Sequence, residues 1–556
     1  MISPTQAQAI LQAHDTYWEA RRERLRDCKK LYMTDFWRHE AVYDAILRTE
    51  VPKAYQVVES YLGSLYAKNP AVVVEPDLRR RGNPDVAEAT ANQYLLTVRQ
   101  QLEDATRMAL IYPCSFIKLA PVVSTDPLKR VAASALPPWE VVVDDTATSW
   151  EQQRWVGHVY LMPIPEAAQQ YGKGQEEFRA RSYTRWLEQD RAGLPVERQV
   201  DLRVDEGWVR VLELYDLEAD KLLVWSPDYQ GGRGFLFEGI KVQVGALDPD
   251  AGADVSEAEL QAEEQHETTG IPFKTTSGRP VVPILPLYFS RDPDVPLRGY
   301  ALVDRSFYQF RELNLMRTYQ AQGVRRMARQ WLVRQGFLSD DAAAKVSAGL
   351  DGEFIEVDLA PGSPLEGNMM PVPQAPIPGD IQLYAQTVQQ DISDAGLLAP
   401  FTRGEVTKST ATEQNLLAAY TSSEVGRMAR TRDGLITDLA RTYNIMLSVV
   451  LGDEAEPLAL PNPVGPTMLS AEDLTGDFSY WAVDAGTTPM GDLQKQQNLQ
   501  ALAPLLVQLG ADPASVREEL VRSYQLPERL AQPPEAPAEP AAAAPSPMGE
   551  MPPGVM

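Results

Sequence analysis

The sequence has few of the residue types with which enzymes bind metals or attack substrates. Its 556 residues include two cysteines, Cys28 and Cys114, and four histidines. Two thiols allow one disulfide at most and are too few for a structural zinc or iron–sulfur site. The histidines are scattered over distant predicted elements without metal-ligand spacing. They are His14, His39, His158 and His266. The sequence therefore predicts no metal centre and no cofactor.

Motifs for phosphate binding and acyl transfer are also missing. The sequence contains no Gly-x-x-x-x-Gly-Lys-Ser/Thr and no Gly-x-Ser-x-Gly, which argues against a P-loop motor and against a serine hydrolase. One carboxylate pair, Asp144 and Asp145, has the chemistry to hold a metal. It ends a predicted strand at 140–144 and precedes Thr146, so a turn is favoured. A metal-dependent nuclease that uses this pair is a distant alternative, and the prediction is that the protein is not an enzyme.

No run of about 18 apolar residues occurs, which predicts that no segment spans a membrane. The first residues carry charges and no apolar signal region, and together with the two cysteines this predicts a protein of a reducing cytoplasm. The net charge is -25. An acidic surface repels nucleic acid, so any contact with DNA requires a local basic zone.

The composition is that of a globular chain, with 44% hydrophobic and 23% charged residues, and its length predicts two to four structural units. Ser3-Pro4 predicts a helix start, and further helices are predicted at 55–67 and 85–110. Strands follow at 115–123, 140–144, 155–162, 208–216 and 221–225. This order predicts an α+β region. Gly231–Gly234 predicts a hairpin turn, and the acidic run 248–266 fails the EF-hand pattern and predicts a solvated loop.

The predicted basic zone begins at Gly299. Between Gly299 and Gln335 the sequence contains seven arginines and two acidic residues, Asp304 and Glu312, so the local net charge is +5. The arginines are Arg305, Arg311, Arg317, Arg325, Arg326, Arg329 and Arg334. A stripe of Val303, Phe307, Phe310, Leu313 and Met316 predicts that one helix face is buried. Two interpretations stay open for the arginines: ion pairing with acidic neighbours, or contact with phosphate.

A small module follows this helix. Strands are predicted at 331–333 and 354–357 around a helix at 340–348, and six prolines between 361 and 379 predict an extended segment. Asp380 is predicted to cap a helix with apolar positions Ile381, Tyr384, Val388, Ile392 and Ala395.

A polar loop from Arg403 leads into a long helix from about Ala411. The predicted buried positions of this helix are Met428, Leu435, Leu439, Met446 and Val450. Gly426 and Gly434 predict close packing against another backbone or a bend.

The order of these elements resembles that of bacteriophage portal proteins, the head-to-tail connectors, especially those of short-tailed phages. The resemblance is carried by motifs spread over about residues 1–500. They are Pro138–Asp145 with Arg154-Trp155-Val156, Pro283–Leu287 leading to Gly299-Tyr300, Thr410–Glu413 with Gly426–Arg430, and Phe478–Thr488. Each motif is loose, and their order and spacing make the combination more specific.

The resemblance implies a ring, usually of twelve subunits, at one capsid vertex of the virion, assembled in the host cytoplasm. It implies a wing at 1–298, a first stem helix at 299–328, a clip at 329–379, a second stem helix at 380–400 and a tunnel loop at 401–410. The remaining regions are a long wing helix with a late strand at 411–489, a crown at 490–530 and a disordered Pro/Ala-rich tail at 531–556.

The implied function is a channel for double-stranded DNA during packaging and ejection. The implied partners are the terminase large subunit, head-tail adaptors, and major capsid and scaffolding proteins. We expect Arg403, Thr407, Lys408 and Ser409 to lie in the tunnel loop, with Arg403 and Lys408 facing the bore. Some of Arg325, Arg326 and Arg329 are expected to face it as well, or to pair between subunits. The alternative is another capsid-associated structural or scaffold protein without a DNA channel.

Overall fold

The structure is a computed structural model that describes most of the chain. The described residues are 1–37, 48–76, 81–182, 186–187, 206–232, 234–243, 265–268, 270–292, 298–327, 331–333, 339–342, 344, 369–371, 379–395, 411–452, 455–460, 464–483 and 504. The chain divides into two compact units, Met1–Thr487 and Thr488–Met556. Of the second unit only residue 504 is described, so the predicted crown and Pro/Ala-rich tail lie outside the described residues. The helices and strands with described bounds all belong to the first unit.

The first unit mixes helices and antiparallel strands, so the predicted α+β class is confirmed. The helices are α1 Pro4–Glu19, α2 Arg22–Tyr32, α3 Lys53–Leu65, α4 Pro84–Thr97, α5 Arg99–Ile111, α6 Ile164–Tyr171, α7 Leu302–Arg305, α8 Phe307–Met327, α9 Gly379–Ala395, α10 Ala411–Leu451 and α11 Ala471–Leu474. Among the described residues, no helix combines the length and the apolar character of a bilayer span.

The described strands form one large sheet and several small ones. They are β1 Val72–Glu75, β2 Ser115–Pro121, β3 Val131–Leu136, β4 Val141–Val143, β5 Trp155–Pro163, β6 Arg181–Ser182, β7 Glu206–Asp216, β8 Lys221–Trp225, β9 Phe237–Glu238, β10 Ile240–Gln243, β11 Gln265–Thr268, β12 Ile284–Leu287, β13 Trp331–Val333, β14 Met369–Pro371, β15 Glu456–Ala459, β16 Pro466–Leu469 and β17 Ser479–Ala482. The six-stranded sheet has the order β4-β5-β7-β8-β9 with β6 on β7, and a three-stranded sheet has the order β12-β2-β3.

All five strands predicted in the α+β region are present, with small differences at their ends. The predicted hairpin around Gly231–Gly234 is confirmed, because β8 pairs antiparallel with β9 across it. The acidic run 248–266 lies outside the described residues up to residue 264, and its last two residues begin β11.

The first helix starts where the sequence predicts, at a capping box. The Ser3 hydroxyl accepts from the Gln6 amide at 3.3 Å, and the Gln6 side chain accepts from the Ser3 amide at 2.8 Å. Each hydrogen bond satisfies a backbone donor that has no partner within the helix. Ala7 and Leu11 then pack against the large sheet, so the chain terminus is anchored to it.

The single helix predicted for 85–110 is wrong, because α4 ends and α5 begins on either side of Val98. Val98 has φ -98° and ψ 12°, outside the helical values. The hydroxyl of Thr97 donates to the Tyr94 carbonyl oxygen at 2.7 Å, the same oxygen that accepts from the Val98 amide. A β-branched pair with a competing hydroxyl therefore ends the first helix here.

The long helix α10 runs through the centre of the core, as its apolar repeat predicts. All five predicted positions, Met428, Leu435, Leu439, Met446 and Val450, are buried. Full burial of five such side chains contributes on the order of 10 kcal/mol. The Tyr443 ring stacks on Tyr94 of α4 at a centroid distance of 3.7 Å. The Asn444 amide donates to the Ala87 carbonyl at 3.0 Å and to the Tyr480 hydroxyl at 2.9 Å.

Two buried arginines connect distant segments to this core. Arg432 of α10 is among the largest fully buried side chains, and it donates to the Leu65 carbonyl and to the Asp433 carboxylate. Arg130 forms a two-pronged ion pair with Glu456, with distances of 2.5 and 2.8 Å. A buried guanidinium is tolerated only when its donors are satisfied. These arginines therefore serve the fold.

Of the two explanations predicted for Gly426 and Gly434, a close approach of another backbone is not found among the described residues of this chain, and a bend stays a prediction. A Cβ atom built at either glycine meets no heavy atom within 4 Å outside the backbone of its own helix. Both positions lie inside the continuous helix α10. No contact within the described chain therefore requires glycine at these two positions.

We expect Gly434→Ala to stabilise the protein by about 1 kcal/mol, since it removes the entropic cost of a glycine inside a helix without a clash. Urea unfolding followed by circular dichroism measures the change. Gly82→Ala is the control: Gly82 has φ +71°, and its Cβ would lie 2.8 Å from the Asp473 carbonyl oxygen, so that variant is destabilised. A destabilised Gly434→Ala variant would contradict the open space around α10.

Candidate functional site

The segment that carries the predicted basic zone is a pair of packed helices. Helix α8 runs to Met327, helix α9 starts at Gly379, and the two pack against each other. Beyond them, β13 pairs antiparallel with β14, with Leu332 opposite Met370. The chain therefore leaves the body along α8 and returns along α9, with a short β ladder between them.

One strand of this ladder is predicted as a strand by the sequence. The strand at 331–333 is confirmed, and it pairs with 369–371, which lies in the segment predicted to be extended and Pro-rich. The strand predicted at 354–357 lies outside the described residues. Of the predicted helix at 340–348, residues 340–342 and 344 are helical and the others lie outside the described part of the chain. Pro371 closes the ladder next to Trp331, an end position that a proline can occupy without losing an interior hydrogen bond.

Helix α8 is fastened to the body by polar contacts as well as apolar ones. Phe307, Phe310 and Leu313 are buried, as predicted, and Met316 is half-buried. Asn314 accepts from the Val51 amide at 2.9 Å, and Thr318 accepts from the Thr49 amide at 3.1 Å. Both side chains are buried. They satisfy backbone donors of the segment before α3, which fixes that segment to the helix.

The predicted first stem helix is interrupted near its start. Helix α7 ends at Arg305, and Ser306 has φ -104° and ψ 21°. Asp304 of α7 pairs with Arg24 of α2 at 2.5 Å. This aspartate therefore does not neutralise the arginines of α8, a point that the sequence alone leaves open.

Helix α9 corrects two details of the prediction. It begins at Gly379, so Asp380 lies in its first turn and is not the N-cap. Val388 and Ile392 are buried as predicted, together with Ala385, whereas Tyr384 is 49% exposed and Ile381 is partly exposed. The side chain of Ala395 is not described. The Asp380 carboxylate still lies near the positive end of the helix dipole, where a negative charge stabilises the helix.

Opposite charges are concentrated on the two helices. Within its bounds α8 carries four arginines and one glutamate, a net charge of +3, and α9 carries three aspartates and no cation, a net charge of -3. Among the described side chains, no ion pair joins the two helices. Arg311, Asp380 and Asp391 are exposed, so these charges face away from the shared contact.

Each helix also exposes large apolar side chains on the same side as its charges. The outer face of α8 is defined by Tyr308, Arg311, Leu315 and Tyr319, with Tyr308 69% and Tyr319 56% exposed. The outer face of α9 is defined by Asp380, Leu383, Tyr384, Thr387 and Asp391, with Leu383 63% exposed. Spacings of three and four residues place the members of each set on one side of a helix.

The predicted DNA-facing residues lie mainly outside the described part of the chain. Arg325 and Arg326 belong to the last turns of α8, but their side chains are not described. Arg329, Arg403, Thr407, Lys408 and Ser409 lie outside the described residues. Their predicted roles therefore stay predictions.

The cations of α10 have mostly structural partners. Arg427 donates to the Phe289 carbonyl, Arg432 is buried as described above, and the Arg441 guanidinium lies 5.9 Å from the centroid of the Tyr480 ring. Except for Asp433, the neighbour of Arg432, these partners lie outside α10 in the sequence. The helical periodicity alone cannot reveal them.

Asp144 and Asp145 form a turn, as the favoured interpretation predicts. Asp144 accepts from the Thr146 hydroxyl at 2.6 Å and pairs with Arg154 at 2.5 Å. Asp145 pairs with Arg298, with Nε and Oδ1 2.9 Å apart. The two carboxylates thus serve two different arginines. In the part of the chain that the structure describes, no group of three or more His, Cys, Asp or Glu side chains is placed to hold a metal.

One polar cluster was missed by the sequence analysis. Lys118 of β2 donates to Glu213 of β7 at 2.7 Å and lies 3.1 Å from His158 Nδ1 of β5. Tyr215 also donates to Glu213. A cavity of about 280 Å³ lies between the two sheets, and Lys118, Glu213 and Tyr215 are among the residues that line it. The signal in the sequence is Lys118 and His158 in the middle of the otherwise apolar strands β2 and β5, whereas β7 carries other charged residues beside Glu213 and gives no such signal.

The cluster has a defined protonation state. Burial opposes ionisation of Glu213, but the Lys118 ammonium and the hydrogen bonds from Lys118 and Tyr215 outweigh it, so the pKa of Glu213 is lowered. Burial and the neighbouring ammonium lower the pKa of His158 to about 3. His158 is therefore neutral at pH 7, and its Nδ1 accepts a hydrogen bond from the Lys118 ammonium. Lys118, Glu213 and Tyr215 satisfy one another, which is the pattern of a structural network, whereas the buried Nε2 of His158 has no hydrogen-bond partner among the described residues.

The thiols offer no alternative reactive centre. Cys28 and Cys114 are both free and buried. Burial raises the pKa of each thiol to about 12. Because the thiolate is the reactive form, neither cysteine is activated for nucleophilic chemistry.

Comparisons with known proteins return structures of phage-like particles at low similarity. No family model and no curated protein matches the chain. The solved structures include the neck of an empty gene transfer agent (GTA) particle computed with C6 symmetry, at TM-score 0.39 and 11% identity, covering 90% of this chain and 94% of that chain. The virion of the native GTA particle and its neck computed with C12 symmetry align over the same shares at 11% identity, with TM-scores of 0.37 and 0.35. TM-scores below 0.5 do not by themselves establish a common fold.

We expect Lys118→Met to lower the free energy of unfolding by about 3–5 kcal/mol, because it leaves the Glu213 carboxylate buried and unpaired. The matched control is Lys118→Met with Glu213→Gln, which removes both charges and recovers most of the loss. Urea unfolding measures both variants. Equal destabilisation of the single and double variants would show that the loss does not come from the unpaired Glu213 carboxylate.

The Lys118–Glu213 pair also predicts that the pH dependence of stability has the opposite sign in the Lys118→Met variant. In the natural protein the lowered pKa of Glu213 contributes stability above its ordinary value of 4.5 that is lost on acidification. In Lys118→Met, burial without a partner raises the pKa of Glu213, so stability is lost as pH rises above 4.5. Unfolding curves between about pH 2.5 and pH 8 measure both slopes, since the natural protein loses stability below pH 4.5 and the variant loses it above that value.

Proposed function

We propose that this chain is a bacteriophage portal protein, a non-enzymatic subunit of a ring through which double-stranded DNA enters and leaves a capsid. The observation that carries the proposal is the segment formed by α8, β13, β14 and α9. Two packed helices leave and re-enter one α+β body, a short β ladder joins them, and the 41-residue helix α10 follows 15 residues after α9 ends. This is the order of stem, clip, stem, tunnel loop and wing helix that the resemblance implies.

The charge distribution supports the same role. A ring that lets a duplex slide must avoid tight binding, because each phosphate contact adds salt-dependent affinity. The net charge of -25 keeps most of the surface repulsive to DNA. The fixed roles of Arg130, Arg427 and Arg432 in the body remove further cations from contact with phosphate.

The assignment of the channel residues follows from the position of the loop between α9 and α10. Arg403 and Lys408 are its cations, and we assign them to weak, transient phosphate contacts. Thr407 and Ser409 keep the same segment polar. Arg325, Arg326 and Arg329, near the end of α8, are assigned either to the bore or to contacts between subunits.

The partners follow from the same proposal. The segment between α8 and α9 would face the terminase large subunit during packaging and the head-tail adaptors afterwards, at one vertex of the capsid. The major capsid and scaffolding proteins would surround the body. A dodecamer is the ring size that the resemblance implies.

The experiment that tests the function is electron microscopy of the purified chain, first in negative stain and then frozen. We expect closed rings with a central opening wide enough for a DNA duplex. A compact oligomer without an opening would contradict the proposal and favour a capsid-associated scaffold protein. Divalent-metal-dependent cleavage of DNA by the same sample, lost in Asp144→Asn/Asp145→Asn, would indicate a nuclease.

We expect Lys408→Glu to weaken the binding of a short duplex to purified rings at low salt by about tenfold or more, because the change repeats in every subunit. The slope of log affinity against log salt should also become shallower. Fluorescence anisotropy of a labelled duplex measures both quantities. Lys129→Glu is the matched control, since the Lys129 side chain is 66% exposed and pairs with its near neighbour Asp126. Equal effects of the two variants would refute a special role for Lys408.

A further inference from the structure

The outer faces of α8 and α9 stay largely exposed in the described chain, although the Arg24 guanidinium lies 4.9 Å from the centroid of the Tyr308 ring. Tyr308, Tyr319, Leu383 and Tyr384 are between 49% and 69% exposed. Exposed aromatic and leucine side chains that cluster on two adjacent helices are uncommon on a surface that stays in water. Tyrosine is also one of the residue types that contribute most to protein interfaces.

The charges on the two outer faces are complementary. The outer face of α8 carries Arg311 on a helix of net charge +3, and the outer face of α9 carries Asp380 and Asp391 on a helix of net charge -3. Among the described side chains, neither Arg311 nor these aspartates takes part in an ion pair. The two faces lie on different helices of one chain, so one copy offers an acidic apolar face and a basic apolar face side by side.

We propose that the outer face of α8 of one copy docks on the outer face of α9 of the next copy. This inference rests on the proposed ring and names the surfaces that join its subunits. The contact is heterologous, because two different patches meet, and repetition of such a contact produces a ring or a filament. The apolar side chains supply buried area, and Arg311 opposite Asp391 selects the pairing of unlike faces over the pairing of like ones. Asp380 lies about 16 Å from Asp391 along α9, so it meets a different part of the neighbouring helix.

Two variants each remove one face while leaving the other intact. The first is Tyr308→Ser/Tyr319→Ser on α8, and the second is Leu383→Ser/Tyr384→Ser on α9. We expect each to raise the dissociation constant between neighbouring copies by about 30-fold or more, and neither to form the wild-type assembly. Mass photometry measures the populations of monomer, dimer and larger species. Tyr55→Ser/Leu96→Ser is the matched control, because both side chains are 47% exposed on other helices.

Mixing the two variants distinguishes this interface from others. Each variant keeps the face that the other lacks, so an equimolar mixture should give a one-to-one dimer that cannot grow, whereas the wild type assembles further. A twofold-symmetric contact would limit the wild type itself to dimers. Absence of the mixed dimer, or wild-type assembly by either variant alone, would overturn the proposal.

A charge exchange provides a test that preserves the apolar side chains. Arg311→Glu alone should weaken association, and Arg311→Glu with Asp391→Arg should restore at least part of it. Thermal unfolding of each purified variant verifies that it is folded. No recovery in the exchange variant would overturn the assigned pairing.

The outcomes also separate this inference from the proposed function. If all variants form rings with an opening, the interface is wrong and the portal function stands. If the faces mediate assembly but the wild-type particle has no opening, the interface stands and the portal function is wrong.

Discussion

Burial of the long helix α10 is the constraint on which the rest of the body depends. Its apolar face brings the last third of the chain into contact with helices formed by the first hundred or so residues. The Tyr94–Tyr443 stack and the hydrogen bonds of Asn444 to Ala87 and Tyr480 then fix the rotation of α10 and its position along its axis. The strands of the two-stranded sheet of β1 and β17 come from opposite ends of the unit, and both contact this helix. The helix pair α8 and α9 joins the same hydrophobic core through Phe310 and Val388.

The sequence predicted the elements whose signal is local. The capped start at Ser3, the strands of the large sheet and the buried repeat of α10 all depend on spacing within a short window, and all are confirmed. Interruptions were missed where one or two residues decide, as at Val98 and Ser306. Partners distant in sequence were missed as well: nothing near residue 331 indicates that it pairs with residue 371, and nothing near Lys118 identifies Glu213. Of the predicted site, the two helices are present, whereas the loop residues from Arg403 to Ser409 lie outside the described residues and their roles stay predictions.

The cations of this acidic protein have two kinds of surroundings. Arg130 and Arg432 are buried, and their hydrogen bonds to a carboxylate or a carbonyl compensate for the loss of water. Arg311 is exposed on α8, with no ion pair among the described side chains. A count of arginines along the sequence cannot separate these classes, because the difference is set by what packs against each side chain. The local balance of +5 counted along the sequence is therefore no measure of exposed charge: Asp304, one of the two acids in that count, pairs with Arg24 of α2, and Arg305 contacts Ser290.

The contacts of Asn314 and Thr318 with the segment at Thr49 and Val51 have a mechanical consequence. The two side chains of α8 hold backbone amides that lie two residues apart. A force that slides this segment along α8 loads both hydrogen bonds at once, whereas a force that peels it from one end loads them one after the other. The joint therefore resists sliding more strongly than peeling.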